Sequence, residues 1–332
     1  MPARTFIEAI RDTLADEMRR DDNVIVLGED VGKKGGVFLA TDGLWAEFGD
    51  DRVIDTPLTE SMIVGASIGA AMNGLRPVAE IQFADFIHPA FNQIVSEAAR
   101  MRYRTNGGFG VPMVIRAPYG GGVHGALYHS QSIEAFYGHV PGLKTVVPST
   151  PYDAKGLLRA SIRDDDPVLF IESLPLYDTK GEVPEGDYTV PIGVAEVKRE
   201  GTDVTVIGYS RMTFVAMQVA EKLAKDEGIS VEVVDLRSLR PLDRPTIVNS
   251  IKKTNRAVII EEDWRSYGIG AEVAATIQEE AFDYLDAPVL RVAGLEVPLP
   301  YAEQLSKASK PSAPDLVDAI HKVLRGSKRL IA

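Results

Sequence analysis

The run Val24-Ile25-Val26-Leu27 is the first of several short, β-rich stretches that alternate with helical patterns along this chain. The stretches that follow it are Val78-Ala79-Glu80-Ile81-Gln82-Phe83, Met113-Val114-Ile115 and Val168-Leu169-Phe170-Ile171. The spacing of apolar residues between them predicts helices over 5–20, 60–73, 86–104 and 152–163. Strands that alternate with helices indicate βαβ units on a parallel sheet, so this part of the chain is predicted to be an α/β domain.

The pattern changes between residues 175 and 201, where proline and glycine recur among charged residues without a sustained helical period. Beyond this segment the alternation resumes, with β-rich runs at 204–207, 231–234, 257–260 and 289–292. The predicted helices there cover 212–225, 245–254 and 269–282, and Pro314 opens a last one. The sequence thus predicts a first domain over 1–174, a linker over 175–201 and a second, smaller α/β domain over 202–332.

The composition excludes several classes of protein. A chain of 332 residues is long enough for two domains with separate cores. It contains no cysteine, which excludes disulfides, thiolate metal sites, iron–sulfur clusters and a thiol nucleophile. Its net charge of −12 argues against a nucleic-acid partner, because binding to phosphates requires clustered Lys and Arg.

Two segments bear on membranes and on location. Residues 5–14 place apolar side chains at helical spacing among charges, which predicts a folded amphipathic helix and not a signal peptide. The uncharged segment 61–75 is shorter than the roughly 20 residues that span a bilayer. Because it is rich in Gly and Ala, it is predicted to be a buried, closely packed helix. We therefore expect a cytoplasmic protein with no membrane partner.

The segment Gly120-Gly121-Gly122-Val123-His124-Gly125 matches the G-x-G-x-x-G pattern of dinucleotide sites. Such a site also requires an acidic residue at the end of the next strand, and 143–148 contains none, which argues against nicotinamide binding. His124 and His129 do not have the i, i+4 spacing that would place a zinc pair on one helix face. For His129 two interpretations stay open: a hydrogen bond at a helix start, or a catalytic role.

Glu60 precedes the uncharged helix, so we expect its carboxyl to be among the most buried in the chain. Burial would favour the protonated carboxyl near neutral pH. The alternative is an ordinary acidic residue in the first turn of a helix, where the helix dipole favours a negative charge.

A set of motifs occurs in order along residues 28–156, within a resemblance that extends over about residues 4–325. These motifs are Gly28-Glu29-Asp30-Val31-Gly32, Gly35-Gly36-Val37-Phe38, Asp55-Thr56-Pro57-Leu58-Thr59-Glu60, Ile81-Gln82-Phe83-Ala84-Asp85-Phe86, Tyr128-His129-Ser130-Gln131-Ser132, Pro141-Gly142-Leu143-Lys144 and Ser149-Thr150-Pro151-Tyr152-Asp153-Ala154-Lys155-Gly156. Together they resemble the β subunit of the thiamine-diphosphate-dependent 2-oxo acid dehydrogenase component. The resemblance implies an α/β fold in which a pyrimidine-binding parallel-sheet domain is followed by a smaller transketolase-like C-terminal α/β domain.

The resemblance also implies a cofactor site. Glu60 matches the carboxyl that protonates the pyrimidine ring of thiamine diphosphate, and Phe86 matches the aromatic residue that packs on this ring. Leu58 and Gln82 match positions that line the same pocket. A carboxyl that stays protonated can favour the tautomer of the cofactor that accepts a proton.

His129 matches the active-site histidine of the family, which is implied to assist proton transfer and passage of the acyl group to a lipoyl arm. Glu29 resembles an acidic residue between paired active sites. The chain lacks a Gly-Asp-Gly motif followed about 30 residues later by Asn, the pattern that holds magnesium and the diphosphate in thiamine enzymes. The resemblance assigns that half of the site, including magnesium, to a separate α subunit in an α2β2 assembly. Helix 61–75 is then a hypothetical surface for close subunit packing.

A structural potassium ion is also implied by the resemblance. Its ligands would be oxygens at Met113, Ser161, Ile162, Asp164 and Asp166, and hard oxygen ligands suit such a cation. The alternative interpretation of residues 161–167 is an acidic turn after a helix.

The function predicted from the resemblance is oxidative decarboxylation of a branched-chain 2-oxo acid, with reductive acylation of a lipoyl domain, in partnership with the α subunit and the acyltransferase core of the complex. Segments 116–132 and 298–302 look most like those of branched-chain members. Pyruvate and acetoin dehydrogenase β subunits are the alternatives within the family, and a catalytically silent scaffold subunit is the alternative outside enzymes.

Overall fold

The computed structural model describes residues 3–121 and 126–325 and divides the chain into two compact units, with the division between Ile192 and Gly193. The segment 175–192, which the sequence analysis assigns to the linker, belongs to the first unit. Its residues Leu176, Tyr177 and Val190 are part of that unit's hydrophobic core. The remainder of the predicted linker includes a strand of the second unit. The linker prediction missed these elements because their few apolar residues follow no regular period.

Helices and strands of the first unit alternate as the sequence predicts. They are β1 (Ala3–Thr5), α1 (Phe6–Arg20), β2 (Val24–Gly28), α2 (Leu44–Phe48), β3 (Val53–Asp55), α3 (Glu60–Met72), β4 (Arg76–Glu80), α4 (Met101–Arg104), β5 (Val114–Tyr119), α5 (Glu134–Gly138), β6 (Lys144–Val146), α6 (Pro151–Arg163), β7 (Val168–Ser173) and β8 (Lys180–Glu182).

The main sheet of the first unit is parallel, with the strand order β6-β7-β5-β4-β2-β3. Its central strands β2, β4, β5 and β7 are buried on both faces, as expected for a parallel sheet covered by helices. β1 and β8 form a separate antiparallel pair.

The second unit repeats this alternation on a smaller sheet. Its elements are β9 (Glu196–Arg199), β10 (Val204–Gly208), α7 (Arg211–Glu227), β11 (Val231–Asp235), β12 (Ser238–Arg240), α8 (Arg244–Thr254), β13 (Ala257–Trp264), α9 (Ile269–Ala281), β14 (Leu290–Gly294), α10 (Glu303–Ser309) and α11 (Ala313–Leu324). The strand order is β14-β13-β10-β11-β9, and only β9 runs antiparallel to its neighbour.

Local capping explains where several helices begin. The Thr5 side chain accepts the N–H of Glu8, whose carboxylate accepts the N–H of Thr5, so α1 opens with a capping box. In α6, Thr150 caps the helix and Pro151 occupies the first turn. Within residues 3–121 and 126–325, no helix combines the length and apolar character needed to cross a bilayer.

The predicted helix over 86–104 is replaced by three shorter helical segments. A 3₁₀ turn covers Ala84–Ala90, a π-helical turn covers Gln93–Ala98, and α4 follows. Pro89 lies inside the first turn. Its missing N–H and its ring prevent a continuous α-helix, so the prediction of one long helix was wrong here.

Two buried acidic residues stand out in the second unit. Burial raises the pKa of Glu261 to about 7, although the N–H of Gly270 donates to its Oε2 at 2.7 Å. Burial also raises the pKa of Asp263 to about 6, and the neighbouring carboxylates of Glu296 and Glu262 add to this effect. Both groups therefore favour the protonated state in the folded chain more strongly than in the unfolded chain.

This arrangement predicts that the second unit becomes less stable as pH rises. A carboxyl whose folded pKa lies above its unfolded value stabilises the fold fully below the unfolded pKa and loses that contribution as pH rises through the folded pKa. For Glu261 the window runs from about 4.5 to about 7. Thermal melting from pH 5 to pH 8 should show a falling midpoint, and Glu261→Gln should flatten the curve and raise stability at pH 8 by about 2–3 kcal/mol. The exposed Glu221→Gln serves as the control, and a Glu261→Gln curve parallel to that of the parent would contradict the prediction.

Candidate active site

The site residues expected from the sequence follow the carboxyl ends of neighbouring parallel strands of the first unit. Glu29 follows β2, Leu58 and Glu60 follow β3, Gln82 and Phe86 follow β4, and His129 lies in the chain after β5. These strands are adjacent in the order β5-β4-β2-β3. Because ligands of open parallel sheets bind outside the carboxyl ends of the strands, this edge is the candidate site.

Three of these residues form one polar group. Gln82 Nε2 donates to the main-chain oxygen of Glu29 at 3.4 Å. Partial burial raises the pKa of Glu29, and the carboxylates of Asp30 and Glu60 raise it further. The Glu60 carboxylate thus lies close enough to Glu29 to repel its negative charge, which favours a proton on Glu29.

The burial expected for Glu60 is not found in this chain. Glu60 is the first residue of α3 and is only half-buried, whereas Glu80 and Glu172 of the sheet are buried. The expectation that it ranks among the most buried carboxylates was wrong. The reason lies in α3, which buries one face and exposes the other.

The exposed face of α3 carries small and apolar residues at helical spacing, namely Met62, Ala66 and Gly69. The opposite face, with residues such as Ile63 and Ile68, is buried in the first unit. The prediction of a helix that is packed on all sides was therefore wrong, because the described residues of this chain cover only one face of α3. The other face leaves an apolar surface exposed beside Glu60.

His129 lies against two aromatic rings. Its ring centroid is 4.6 Å from that of Phe83 and 5.2 Å from that of Phe86, in edge-to-face arrangements with interplanar angles of 79° and 78°. The next helix, α5, begins only at Glu134. His129 therefore does not sit at a helix start, and its ring lies beside the aromatic residue that matches the family's pyrimidine-packing position.

Sequence reasoning gave no role to Asp85, although it is part of a quoted motif. Its Oδ2 accepts the main-chain N–H of Gln131 at 3.1 Å. Burial raises the pKa of Asp85, and this effect is opposed by the Gln131 hydrogen bond and by the charges of His129 and His88. The signal was available in the sequence, since an acidic residue lies between two phenylalanines directly after a strand.

The loop that carries Glu29 is fixed by hydrogen bonds to its surroundings. The Gly32 N–H donates to Asp55 Oδ1 at 2.6 Å, and Thr41 Oγ1 donates to the Val31 carbonyl at 2.7 Å. A Cβ at Gly32 would lie 2.5 Å from Asp55 Oδ2, so only glycine fits there.

A buried ion cluster spans three strands of the same sheet. Arg116 is fully buried, and its Nη1 contacts Glu80 Oε2 at 2.6 Å while its Nε contacts Glu172 Oε1 at 2.6 Å. The Tyr177 hydroxyl donates to Glu172 Oε2 at 2.6 Å. Burial raises the pKa of Glu80 despite the opposing charge of Arg116. The cluster was not predicted from the sequence. Charged residues inside apolar strands are its signal there, and the register then makes Glu80 and Arg116 direct neighbours.

The residues expected to bind potassium lie around the end of α6. The carboxylates of the acidic turn are all paired with basic side chains: Asp164 with Lys144, Asp165 with Arg76 and Asp166 with Arg102. The main-chain oxygens of Ile162 and Asp164 each accept a hydrogen bond from Arg76 Nη1 at 3.0 Å, and that of Met113 accepts one from the Val168 N–H at 3.0 Å.

The main-chain carbonyl oxygens near this turn could still bind a cation, because a carbonyl that accepts one hydrogen bond has a second lone pair. Ser161 contributes another carbonyl, which accepts the Asp164 N–H at 3.3 Å. Over residues 3–121 and 126–325, no group of three or more His, Asp or Glu side chains could hold a metal ion. A cation here would therefore rest on main-chain oxygens.

The glycine-rich motif is only partly visible. Gly120 and Gly121 follow β5, whereas residues 122–125, including His124, lie outside the described residues. Gly120 has a φ of +93°, a conformation that glycine adopts without strain.

Comparison with known proteins decides the family. Residues 3–180 match the family model described as "Transketolase, pyrimidine binding domain", and residues 193–316 match "Transketolase, C-terminal domain". The 2-oxoisovalerate dehydrogenase subunit beta of Bacillus subtilis (strain 168) is 56% identical over 321 residues, which cover 96% of this chain and 98% of that protein. The chain belongs to the 2-oxo acid dehydrogenase E1 β subunits.

Other relatives agree with this membership. The pyruvate dehydrogenase E1 component subunit beta of the same organism is 49% identical over 98% of this chain and 99% of its own length. A solved structure titled "Split gene transketolase, inactive beta4 tetramer" superposes with a TM-score of 0.80 at 26% identity and covers 97% of this chain and 99% of its own. The predicted fold class and the resemblance to E1 β subunits are thus confirmed.

Proposed function

We propose that this E1 β subunit supplies half of a thiamine diphosphate site and that, together with an α subunit, it carries out oxidative decarboxylation of a branched-chain 2-oxo acid and reductive acylation of a lipoyl domain. The observation that carries this proposal is the convergence of two carboxyls, an imidazole and aromatic rings at the carboxyl ends of adjacent strands. The comparisons support a thiamine-dependent E1 family, and the substrate and individual roles belong to the proposal.

The residues at this edge fit the pyrimidine half of the cofactor. Phe83 and Phe86 present aromatic surface, and Gln82 and Glu60 provide polar groups for a ring that carries nitrogens. Ser130 is buried, and within the described residues its Oγ has no hydrogen-bond partner. A buried hydroxyl without a partner is costly, which supports a polar ligand near it. When bound, thiamine diphosphate would supply the carbanion that attacks the 2-oxo group.

The roles of the chain's own residues follow from their surroundings. Glu60 would hold a proton at its carboxyl and present it to the pyrimidine ring, the role that its match to the family's carboxyl position implies. Phe86 would pack on the ring, with Leu58 and Gln82 lining the pocket. His129 would move protons during decarboxylation and during transfer of the acyl group to the lipoyl arm. Glu29 would act between paired sites.

The α subunit would cover the open side of the site. Leu58 is 72% exposed and Met62 of α3 is 38% exposed, so apolar surface beside Glu60 is available for another chain. We propose that the α subunit packs there in an α2β2 tetramer and holds the magnesium ion and the diphosphate. Packing on Gly69 and Ala66 would allow close approach of a second backbone.

The branched-chain substrate is favoured by the higher identity to the 2-oxoisovalerate relative, 56% against 49% for the pyruvate relative. A pyruvate or acetoin substrate is the alternative within the same proposal. The ratio of kcat/KM for 3-methyl-2-oxobutanoate and pyruvate, measured on the α–β mixture, separates them. A preference for pyruvate would overturn the branched-chain assignment and leave the family unchanged.

Calorimetry tests the shared cofactor site. Thiamine diphosphate with magnesium should bind to the mixture of this chain and its α subunit, and binding to this chain alone should be at least about a hundredfold weaker, because the diphosphate contacts are missing. A Glu60→Ala mixture should bind more weakly than the parent mixture. Equally tight binding by the lone chain would mean that the chain holds a complete site.

The potassium site stays part of the proposal, with oxygens of Met113, Ser161, Ile162, Asp164 and Asp166 as the ligands. A bound cation stabilises the folded state that holds it. We expect a higher melting temperature in potassium chloride than in sodium or choline chloride at equal ionic strength, by about 2–4 °C for each kcal/mol that the bound cation adds to the free energy of unfolding. Equal melting temperatures in all three salts would contradict a selective site.

The remaining parts of the proposal concern partners and location. We propose that the chain works within a complex that contains a lipoyl acyltransferase core, and that it is located in the cytoplasm, as expected from the sequence.

The silent-scaffold alternative has one observation in its favour, since the solved relative is titled an inactive beta4 tetramer. The Glu60 experiment described in the Discussion decides between scaffold and catalyst.

A further inference from the structure

Asp85 connects two segments that both carry site residues. It belongs to the turn Ala84–Ala90, which also carries Phe86. Its carboxylate reaches across to the segment after β5 and accepts the N–H of Gln131 at 3.1 Å. Gln131 is two residues beyond His129, so this hydrogen bond restrains the main chain just after the histidine.

Aromatic contacts restrain the side chain of the same histidine. Phe83 and Phe86 flank Asp85 in the sequence, and both rings lie edge-to-face against His129. Residues 83–86 therefore restrain the His129 segment twice, through the Asp85 carboxylate and through the two aromatic rings. An acidic residue in the first turn of a helical segment is common for dipole reasons alone, but that role does not require a hydrogen bond to a distant segment.

The charges around Asp85 fit this arrangement. The groups that act on its carboxyl are His129 and His88, both of which favour the carboxylate. Burial opposes ionisation, and the Gln131 N–H compensates for part of that cost. The Asp85 carboxylate therefore has one main-chain N–H donor in Gln131 and two histidines whose positive charge would stabilise its own charge.

We infer that Asp85 is a positioning residue that tethers residues 129–131 and keeps the His129 ring against Phe83 and Phe86. The tether fixes where the imidazole can deliver or accept a proton. This inference rests on the proposed function only for its effect on turnover, because the tether itself can be measured on the chain without substrate.

Three variants separate the tether from the charge. Asp85→Ala removes both, Asp85→Asn keeps an oxygen that can accept the Gln131 N–H, and Asp85→Ser keeps a polar group too short to reach it. The exposed Asp51→Ala is the matched control for loss of a surface carboxylate. If Asp85→Ala fails to fold, Asp85→Ser gives the same test with a polar side chain.

Nuclear magnetic resonance on the full chain reads the geometry directly. In Asp85→Ala, hydrogen exchange of the Gln131 amide should accelerate by about tenfold to a hundredfold, the loss expected for one hydrogen bond to a charged acceptor. The ring-current shift that Phe83 and Phe86 impose on the His129 protons should diminish, with the His129→Gln variant assigning the signal. Asp85→Asn should restore most of both effects, and Asp51→Ala should change neither.

Turnover of the α–β mixture is the second readout. Asp85→Ala should lower kcat by about tenfold with little change in KM, and Asp85→Asn should recover part of it. Unchanged amide exchange and ring-current shifts in Asp85→Ala would overturn the inference. If those signals change while both Asp85→Ala and His129→Gln turn over normally, the tether is established and the catalytic role proposed for His129 is what fails.

Discussion

Replacing Glu60 by Gln should lower the turnover of the α–β mixture by about a hundredfold or more, the typical effect of losing a positioned general acid. Glutamine has nearly the same shape and leaves the half-buried position filled, but its amide cannot supply the carboxyl proton. The measurement is steady-state turnover of the reconstituted enzyme with saturating cofactor.

The matched control for this prediction is Glu272→Gln. Glu272 is an exposed acidic residue in the first turn of α9, so it also lies in a first helical turn but outside the candidate site. Its replacement should leave turnover unchanged. Normal turnover in Glu60→Gln would remove the catalytic interpretation and favour the scaffold subunit, in which Glu60 serves only the helix dipole.

Replacing Arg116 by Met should destabilise the first unit by about 3–5 kcal/mol, because two buried carboxylates would lose their shared guanidinium. Glu80 and Glu172 would then remain in the sheet with no compensating cation from that side chain. Unfolding in urea measures this effect. The chain has two tryptophans, and a Trp264→Phe background leaves Trp45 of the first unit as the fluorescent reporter.

The control for the Arg116 prediction removes the carboxylates together with the cation. Arg116→Met combined with Glu80→Gln and Glu172→Gln should recover a large part of the lost stability, because no uncompensated charge remains. A loss below about 1 kcal/mol in the single variant would contradict the prediction, because it would mean that the two carboxyls take up protons or become hydrated once the cation is removed.

The architecture was open to prediction from the sequence because its signals are local. Apolar strand runs such as 24–27 and helix caps such as Thr150 depend on neighbouring residues alone. Glu29 and Gln82 were singled out by the family resemblance and not by the residue pattern. The structure places both shortly after strands, and strand ends converge in a parallel sheet.

Other features depend on contacts between distant segments, which composition and period do not encode. The exposure of Glu60 follows from the uncovered face of α3, and the contact of Asp85 with Gln131 joins residues that are 46 positions apart. The ion cluster of Arg116 needs the strand register as well as the residues. The interruption of the predicted helix over 86–104 was different, because its cause is local. Pro89 disfavours a continuous α-helix, but the prediction followed the helical spacing of the apolar residues instead.

The pairing of β1 with β8 has a consequence for synthesis on the ribosome. Residues 3–5 pair with residues 180–182, and the Phe6 N–H donates to the Thr179 carbonyl at 3.0 Å. Domains generally fold as units during translation, beginning with the N-terminal one. Here β8, the partner of the first strand, is synthesised only after strands β2 to β7. Residues 3–5 therefore stay without their partner strand until nearly the whole unit has been translated. A pause in synthesis before residue 180 would leave them accessible to chaperones and proteases.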